Sequence, residues 1–424
     1  MAELTLEPAE TIRVRLERAL AAEEVNLASE EGRARTEELI AETLRSYEAE
    51  ALSGQAPPLE DEQRREVARE LRNELVGLGA IAERMLADPL AQEWMINGPR
   101  RLFRDTGERI ERVPDLVFDD DRQVRAFVER LLEQVEGKRL DRITPRVEAR
   151  LPDGSRLTAA IPPVSSNGQT ICTIRRFRLA AGTLEELVGL GFLSEQAASF
   201  LAACVRAGKN IVVAGRVSSG KTTLLNALGR AVPGTERVVV CESSAELQLP
   251  AVLPNCVGYE ARPASADGLA AVTLEDLVSD ALRMNPDRIL VGECRGSETM
   301  AMLWSFATGH AGMTSVHGES AEHALQNLVR FALTSGARIE AEQALDWLRD
   351  VDLVVHCDRP RSFRSGERRF LPRRIDEIVE VAGVEGRRLT LNPLFDGAGT
   401  ELRWLASGPA YLDELEQAGF HVGR

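Results

Sequence analysis

The feature that most constrains this 424-residue chain is a glycine-bordered segment at residues 215–222. It reads Gly-Arg-Val-Ser-Ser-Gly-Lys-Thr and satisfies the pattern GxxxxGK[ST]. The apolar run before it is typical of a buried strand, and the residues after it favour a helix. Such a loop turns its backbone N–H groups around phosphate oxygens at the positive end of the following helix. The pattern therefore predicts a phosphate-binding loop.

The residue types in this loop suit a nucleoside triphosphate. Lys221 is predicted to reach the β- and γ-phosphates, and the Thr222 hydroxyl is predicted to ligate magnesium. The other loop positions predicted to contact or shape the phosphate site are Gly215, Ser218, Ser219, Gly220 and Thr223. The predicted cofactors are therefore ATP and Mg²⁺.

Apolar runs and helical segments alternate around the loop, which predicts an α/β fold with a parallel-rich sheet. The runs lack the polar alternation of a half-exposed strand, so both faces of the sheet should be covered. The predicted strands are 210–215, 237–242, 288–293, 313–317 and 353–357, and helices are expected to begin near 221, 273, 297, 321 and 340.

The rest of the chain predicts four regions. Residues 1–75 carry apolar side chains at helical spacing, which indicates a small helical bundle or an extension that orders only against a partner. Residues 76–178 predict a smaller α+β domain, with a hairpin at Asp153-Gly154. The α/β domain covers 179–385, and 386–424 is interpreted as a C-terminal extension.

Composition narrows the functional class. The net charge is -15 and the pI is about 5.1, which argues against general binding of nucleic-acid phosphates. No run approaches ~20 apolar residues, and the first ten residues lack the basic start and apolar core of a secretory leader, so neither a membrane span nor a leader is expected. The six cysteines form no CxxC pair, so buried free thiols are expected rather than zinc ligands. These features predict a cytoplasmic protein.

Two acidic strand ends are candidates for the chemistry. Glu293 ends the apolar run 288–293, and a carboxylate at the end of a neighbouring parallel strand would face the phosphates. There it can polarise the attacking water or hold the magnesium shell. Glu242 ends the run 237–242, with Glu246 four residues later; both could face the nucleotide, or Glu242 could cap a helix or lie in a solvated turn.

Histidine and arginine supply weaker candidates. His317 follows a predicted strand and either contacts or senses a phosphate, or is structural, as is His310. An added guanidinium stabilises a transferring phosphoryl group, although many arginines of this chain must be ordinary surface residues. The basic run at 359–374 either docks an acidic partner or membrane surface, or forms a solvated loop.

Four segments together resemble a known family. The segments GKTTLLNAL, ESSAELQL, ALRMNPDRILVGECRG and TGHAGMTSVHG are similar to those of the CpaF-type secretion and pilus ATPases. These enzymes belong to the type II/IV secretion ATPase superfamily. The likeness continues upstream through WMINGP and covers roughly residues 76–385.

The resemblance implies a hexameric ring of RecA-like domains, each paired with an N-terminal domain, with ATP between them. Lys221 and Thr222 match the Walker A element, and Glu293 matches the Walker B glutamate. Glu242 matches the leading residue of the acidic Asp box, and His317 matches the histidine box. The arginines that fall on the family pattern are Arg262, Arg283 and Arg295 in the α/β domain and Arg156, Arg175 and Arg176 upstream.

The sequence also departs from that pattern. Arg216 and Ser218 replace loop glycines, and only glycine reaches positive φ cheaply. Ser243 stands where the Asp box has a second acid, and Ala311 replaces another acid. These changes put the rate of turnover in doubt more than nucleotide binding.

The resemblance implies a cytoplasmic motor that powers pilus assembly or protein secretion, associated with the inner face of the membrane. Its expected partners are further copies of itself and inner-membrane platform proteins. One alternative is a nucleotide-binding scaffold with weak or no hydrolysis. Another is a DNA-handling ATPase, which the acidic charge disfavours.

Overall fold

The computed structural model describes residues 8–23, 25, 30–75, 80–135, 137–176, 182–262, 264, 270–334, 340–364, 367–385, 388–397, 402–405 and 407–422. The chain divides into two compact units, Met1–Phe177 and Arg178–Arg424. Each unit has its own apolar cores.

The first unit begins with three helices, α1 (Pro8–Ala22), α2 (Glu30–Leu52) and α3 (Asp61–Leu75). The apolar residues at helical spacing in the sequence are buried between them, including Leu16, Ile40 and Tyr47. Arg15 pairs with Glu50 at 2.7 Å across α1 and α2. The predicted helical arrangement is therefore a packed bundle.

The remainder of the first unit is α+β. It contains α4 (Ala80–Ala87), α5 (Asp121–Leu132) and a six-stranded antiparallel sheet of order β3-β2-β1-β6-β5-β4. The strands are β1 (Glu93–Asn97), β2 (Leu102–Asp105), β3 (Ile110–Arg112), β4 (Arg146–Arg150), β5 (Arg156–Ala160) and β6 (Ile171–Arg175). The turn predicted at Asp153-Gly154 joins β4 to β5, which pair in antiparallel register.

The second unit is built on a nine-stranded sheet of order β17-β16-β15-β12-β7-β11-β10-β8-β9. Six neighbouring strands run parallel, from β12 through β7, β11, β10 and β8 to β9. They are β7 (Ile211–Gly215), β8 (Val238–Glu242), β9 (Cys256–Glu260), β10 (Arg288–Cys294), β11 (Ala311–His317) and β12 (Leu353–Asp358). Five of these were predicted; the edge strand β9 was not.

Antiparallel strands continue the same sheet. They are β15 (Arg374–Glu385), β16 (Arg388–Asp396) and β17 (Arg403–Trp404), while β13 (Arg361–Arg364) and β14 (Glu367–Phe370) form a separate hairpin. Strands β15 and β16 pair across the boundary placed at residue 385 in the sequence, so residues after it belong to the same sheet.

Helices cover both faces of this sheet, as its uniformly apolar strands require. The helices are α6 (Leu184–Gly189), α7 (Glu195–Arg206), α8 (Lys221–Arg230), α9 (Leu274–Ala281), α10 (Glu298–Ala307), α11 (Ala321–Thr334), α12 (Ala341–Asp346) and α13 (Leu412–Gln417). One core packs α7 and α8 on one face, and a second packs α9, α10 and α11 on the other. The predicted fold class, a RecA-like α/β P-loop domain after a smaller α+β domain and a helical bundle, is confirmed.

The cysteines are free, as expected, and all except the half-buried Cys256 are buried. Burial raises the pKa of Cys172 to about 12, so its thiol stays protonated. The helices that the structure describes include none that is long and apolar enough to cross a lipid bilayer.

Candidate nucleotide site

The phosphate loop lies at the carboxyl end of β7, between that strand and α8. Ser218 and Gly220 adopt positive φ angles of 61° and 104°. A Cβ on Gly220 would lie 2.9 Å from the Phe192 ring, so glycine is required here by space as well as by backbone angle. The helix begins at Lys221 and points its amino end into the loop.

Lys221 is 7% exposed, and its ammonium lies inside the loop. Nζ donates to the carbonyl oxygens of Gly215 and Arg216, each at 3.1 Å. It also lies 3.8 Å from Oε1 of Glu293. The lysine thus has its charge where a phosphate bound by the loop would be.

Ser219 shows that the loop fits an additional acceptor. Its hydroxyl is buried, and Oγ has no hydrogen-bond partner within the described part of the chain. A buried hydroxyl without a partner is costly. A phosphate oxygen is a suitable acceptor, because the neighbouring Lys221 supplies the opposite charge.

Thr222 and Glu246 form a second part of the site. Thr222 Oγ1 donates to Glu246 Oε2 at 3.2 Å. Both residues are partly exposed, and a hydroxyl beside a carboxylate is a donor set that suits Mg²⁺. Thr223, the next residue of α8, is also partly exposed.

Glu242 has a different environment. Its side chain is buried. Oε1 accepts hydrogen bonds from the backbone N–H groups of Glu246, at 2.9 Å, and Leu247, at 3.1 Å. A Cβ on Gly292 would lie 2.8 Å from its Cγ, so the carboxylate is enclosed by β10 as well. In this arrangement Glu242 shapes the turn that presents Glu246. Ser243, in place of the second acid, is exposed.

Glu293 lies near the end of β10, at an irregularity in its pairing with β11. Its Oε1 is 3.2 Å from Nε2 of His317 and 3.8 Å from Nζ of Lys221. Oε2 forms a close ion pair with the guanidinium of Arg295. The predicted site residues on three different segments therefore meet at this carboxylate.

His317 lies between the phosphate loop and Glu293 because β11 separates β7 from β10. Its register partner on β7 is Gly215. Sequence reasoning placed Glu293 on a strand next to the loop, whereas the intervening strand supplies the histidine. Burial lowers the pKa of His317, and the charge of Lys221 adds to this, although Glu293 acts in the opposite direction. His310 lies at the other end of β11, beside Thr308.

A salt bridge connects one departure from the family pattern to the histidine segment. Nη2 of Arg216 lies 2.9 Å from Oε1 of Glu319, two residues after His317. Both side chains are substantially exposed, so we expect the pair to contribute little to stability.

The three arginines predicted in the α/β domain occupy different places. Arg295 reaches Glu293. Arg262 is exposed beyond β9 and donates to the Ala270 carbonyl at 3.1 Å. Arg283 pairs with Asp280 at 3.5 Å, before the amino end of β10 and so at the opposite edge of the sheet. Among the contacts of the described residues, Arg295 is the one of these three arginines that reaches Glu293.

The arginines predicted in the first unit are also distinguishable. Arg175 is exposed at the end of β6, and its cross-strand partners are Arg156 and Glu93. Arg176 donates to the Asp88 carbonyl at 2.5 Å, which indicates a structural contribution. Their roles toward a nucleotide remain predictions.

Similarity to known proteins identifies the family. Residues 76–389 match the family described as type II/IV secretion system protein. The chain belongs to this family. Membership of the family confirms the predicted function, a motor ATPase for secretion or pilus assembly. An ATPase of this family binds a nucleotide. The comparison does not itself assign the individual residues.

Two relatives and one solved structure illustrate the similarity. A putative conjugal transfer protein of Mycobacterium tuberculosis is 33% identical over 329 residues, which cover 75% of this chain and 88% of that protein. Protein VirB11 of Agrobacterium fabrum is 30% identical over 300 residues, covering 64% and 85%. The VirB11 ATPase of the Brucella suis type IV secretion system, solved with sulphate, is 28% identical with a TM-score of 0.38, covering 70% and 91%.

Proposed function

We propose that this chain hydrolyses Mg²⁺-ATP at the carboxyl edge of the nine-stranded sheet and uses the reaction to move its domains. The observation that carries the proposal is the convergence of Lys221, Ser219 and Glu293 at one loop, with His317 against the same carboxylate. Positioned charges of this kind are the main requirement of phosphoryl transfer.

Phosphate binding rests on the loop and on α8. The Lys221 ammonium offsets the negative charge of the β- and γ-phosphates, and the buried Ser219 hydroxyl supplies a donor. The amino end of α8 adds a favourable dipole. Thr223 and the two flanking glycines, Gly215 and Gly220, complete the predicted binding set.

Thr222 and Glu246 would hold magnesium, with Glu293 contributing through water. Bound Mg²⁺ neutralises phosphate charge and polarises the transferred group. Glu242 is predicted to act indirectly, because it fixes the backbone that carries Glu246.

Glu293 is the best-placed carboxylate to orient and deprotonate a water molecule. His317 lies 3.2 Å from it, and the burial that lowers the pKa of His317 favours its neutral imidazole. A neutral imidazole can donate a hydrogen bond to Glu293 without adding charge. Arg295 pairs with the other oxygen, Oε2, so a water molecule would have to reach Oε1 beside His317.

That last contact favours one alternative, a nucleotide-binding scaffold with slow or no hydrolysis. In this arrangement Oε2 of Glu293 is paired with Arg295 and Oε1 lies against His317 and Lys221, which leaves little of the carboxylate open to a water molecule. The two proposals differ in turnover: the scaffold binds ATP and leaves it intact.

Domain closure around ATP would be the mechanical step. The proposed assembly is a homohexamer in which Arg156, Arg175 and Arg176 approach a nucleotide from the N-terminal domain. The proposed partners are inner-membrane platform proteins of a pilus or secretion machine, reached from the cytoplasm with peripheral membrane association. Direct binding of nucleic acid is not expected at a net charge of -15, and a salt-sensitive DNA complex would contradict this.

The variant Lys221→Ala tests the proposed reaction. We expect it to lose nucleotide binding and to hydrolyse ATP at least about 100-fold more slowly, because the phosphates lose their main charge partner. Lys209→Ala is the matched control, since Lys209 pairs with Glu414 at the other edge of the sheet. Hydrolysis by Lys221→Ala at the parent rate would refute the proposal.

A further inference from the structure

Ser218 occupies the loop position at which the backbone is least suited to its residue type. Its φ of 61° lies in the left-handed region, which costs free energy for any residue other than glycine. It is one of only two non-glycine residues with positive φ in the described part of the chain, the other being Asn285. A loop that lacks glycine here needs another source of support.

Arg373 supplies such a support. Its Nε donates to the carbonyl oxygen of Ser218 at 2.8 Å. Because the peptide unit is planar, a fixed Ser218 carbonyl also fixes the direction of the N–H of Ser219. A guanidinium donor makes a stronger bond to a carbonyl than a neutral donor does.

The sheet determines where Arg373 lies. Cys357 of β12 is the register partner of both Gly215 on β7 and Ile375 on β15. The chain entering β15 therefore passes the phosphate loop, although it is more than 150 residues distant in sequence. Arg373 thus reaches the loop from the antiparallel extension of the sheet.

Phe192 also contacts the segment that enters β15. The Ile375 backbone N–H donates to the Phe192 carbonyl at 2.8 Å. An added Cβ on Gly220 would meet the Phe192 ring and would lie 3.6 Å from Cδ of Arg373. The side chains of Phe192 and Arg373 therefore both lie against the loop at Gly220. A rearrangement of β15 would change the position of Arg373 and so its hydrogen bond to Ser218.

We propose that Arg373 is a positioning residue for nucleotide binding, which holds the phosphate loop in its binding conformation through the Ser218 carbonyl and compensates for the missing glycine. The inference rests on the proposed function, since it concerns the same site. Nucleotide affinity would then depend on the connection between β14 and β15 as well as on the sequence of the phosphate loop.

A double-mutant cycle tests this. In the full-length chain, we expect Arg373→Ala to weaken binding of a fluorescent ATP analogue about tenfold, from the loss of a charged hydrogen bond. In a Ser218→Gly background the same change should cost about threefold or less, because glycine adopts the left-handed conformation without support. Arg388→Ala, which removes an exposed arginine of β16, should bind as the parent does.

Equal binding by Arg373→Ala and the parent would overturn the inference. So would an equal loss in both backgrounds, because that would mean the guanidinium acts by its charge and not through Ser218. Thermal unfolding of each variant establishes that the proteins are folded.

Hydrogen exchange without nucleotide separates this inference from the proposed function. Amides of residues 215–222 should exchange faster in Arg373→Ala than in the parent, and Ser218→Gly should restore part of the protection. Unchanged exchange in Arg373→Ala would contradict a positioning role even if the parent binds ATP. Absence of ATP binding by the parent would instead overturn the proposed function.

Discussion

Glu242 and Glu246 lie four residues apart, and their carboxylates have different surroundings. Glu242 is buried and holds two backbone N–H groups, whereas Glu246 is partly exposed and accepts from Thr222. The family resemblance assigns the chemistry to Glu242. We propose instead that Glu246, which accepts from Thr222, faces the proposed magnesium position and that Glu242 supports the backbone that carries it.

This distinction predicts different defects. Glu242→Ala should lower the free energy of unfolding by about 1–3 kcal/mol, because buried donors lose their acceptor. Glu246→Ala should change the free energy of unfolding by less than about 0.5 kcal/mol while lowering kcat. Chemical denaturation and steady-state hydrolysis measure both quantities. A stable, inactive Glu242→Ala together with an active Glu246→Ala would reverse the assignment.

At the scale of elements, the parallel strands place acids and glycines at one edge and a different set of polar groups at the other. At the amino ends, the Asn210 backbone N–H donates to Asp352 Oδ2 at 2.8 Å, joining β7 to β12. Burial raises the pKa of Asp352 above its ordinary value, although this hydrogen bond and Lys209 act in the opposite direction. The ionised carboxylate is therefore disfavoured in the folded state.

The sign of the pH dependence follows. The folded state holds this proton more tightly than the unfolded state does. The free energy of unfolding therefore falls as pH rises above about 3.9, the pKa of an aspartate in the unfolded chain. Asp352→Asn keeps the acceptor and cannot ionise. We expect Tm of Asp352→Asn to match the parent near pH 3 and to exceed it at pH 7. A difference in Tm that is independent of pH would contradict this.

Much of the arrangement of strands and helices in the second unit could be predicted from the sequence. Uniformly apolar runs indicated five central strands, and their spacing indicated parallel connections, because both features depend on local composition. The loop at 215–222 was identifiable for the same reason. The position of β11 between β7 and β10 was not predictable, since strand order depends on long-range packing. Arg373 was also missed as a loop contact, because nothing near it in sequence marks its partner.

At the scale of the whole molecule, the chain end completes the core of the second unit. Phe420 packs against Phe200 of α7 and Trp404 of β17, with ring centroids 5.4 and 5.5 Å apart. Phe395 of β16 joins the same cluster. Side chains of the antiparallel strands and of the segment 407–422 therefore contribute to the core on the face of the sheet that also packs α8.

We expect Phe420→Ala to destabilise the second unit by about 3–5 kcal/mol, the usual cost of removing a buried aromatic side chain. The neighbouring exposed residue provides the control, since His421→Ala should change little. Thermal unfolding of the two variants measures the difference. Equal Tm values for Phe420→Ala and His421→Ala would show that the chain end is dispensable.

ATP turnover by Glu293→Gln tests the central claim most directly, with nucleotide binding measured on the same protein. The amide keeps the size of the side chain and one acceptor oxygen but cannot act as a general base. We predict an affinity within about threefold of the parent and a kcat at least about 100-fold lower, the usual contribution of a general base. Turnover by Glu293→Gln at the parent rate would contradict the account.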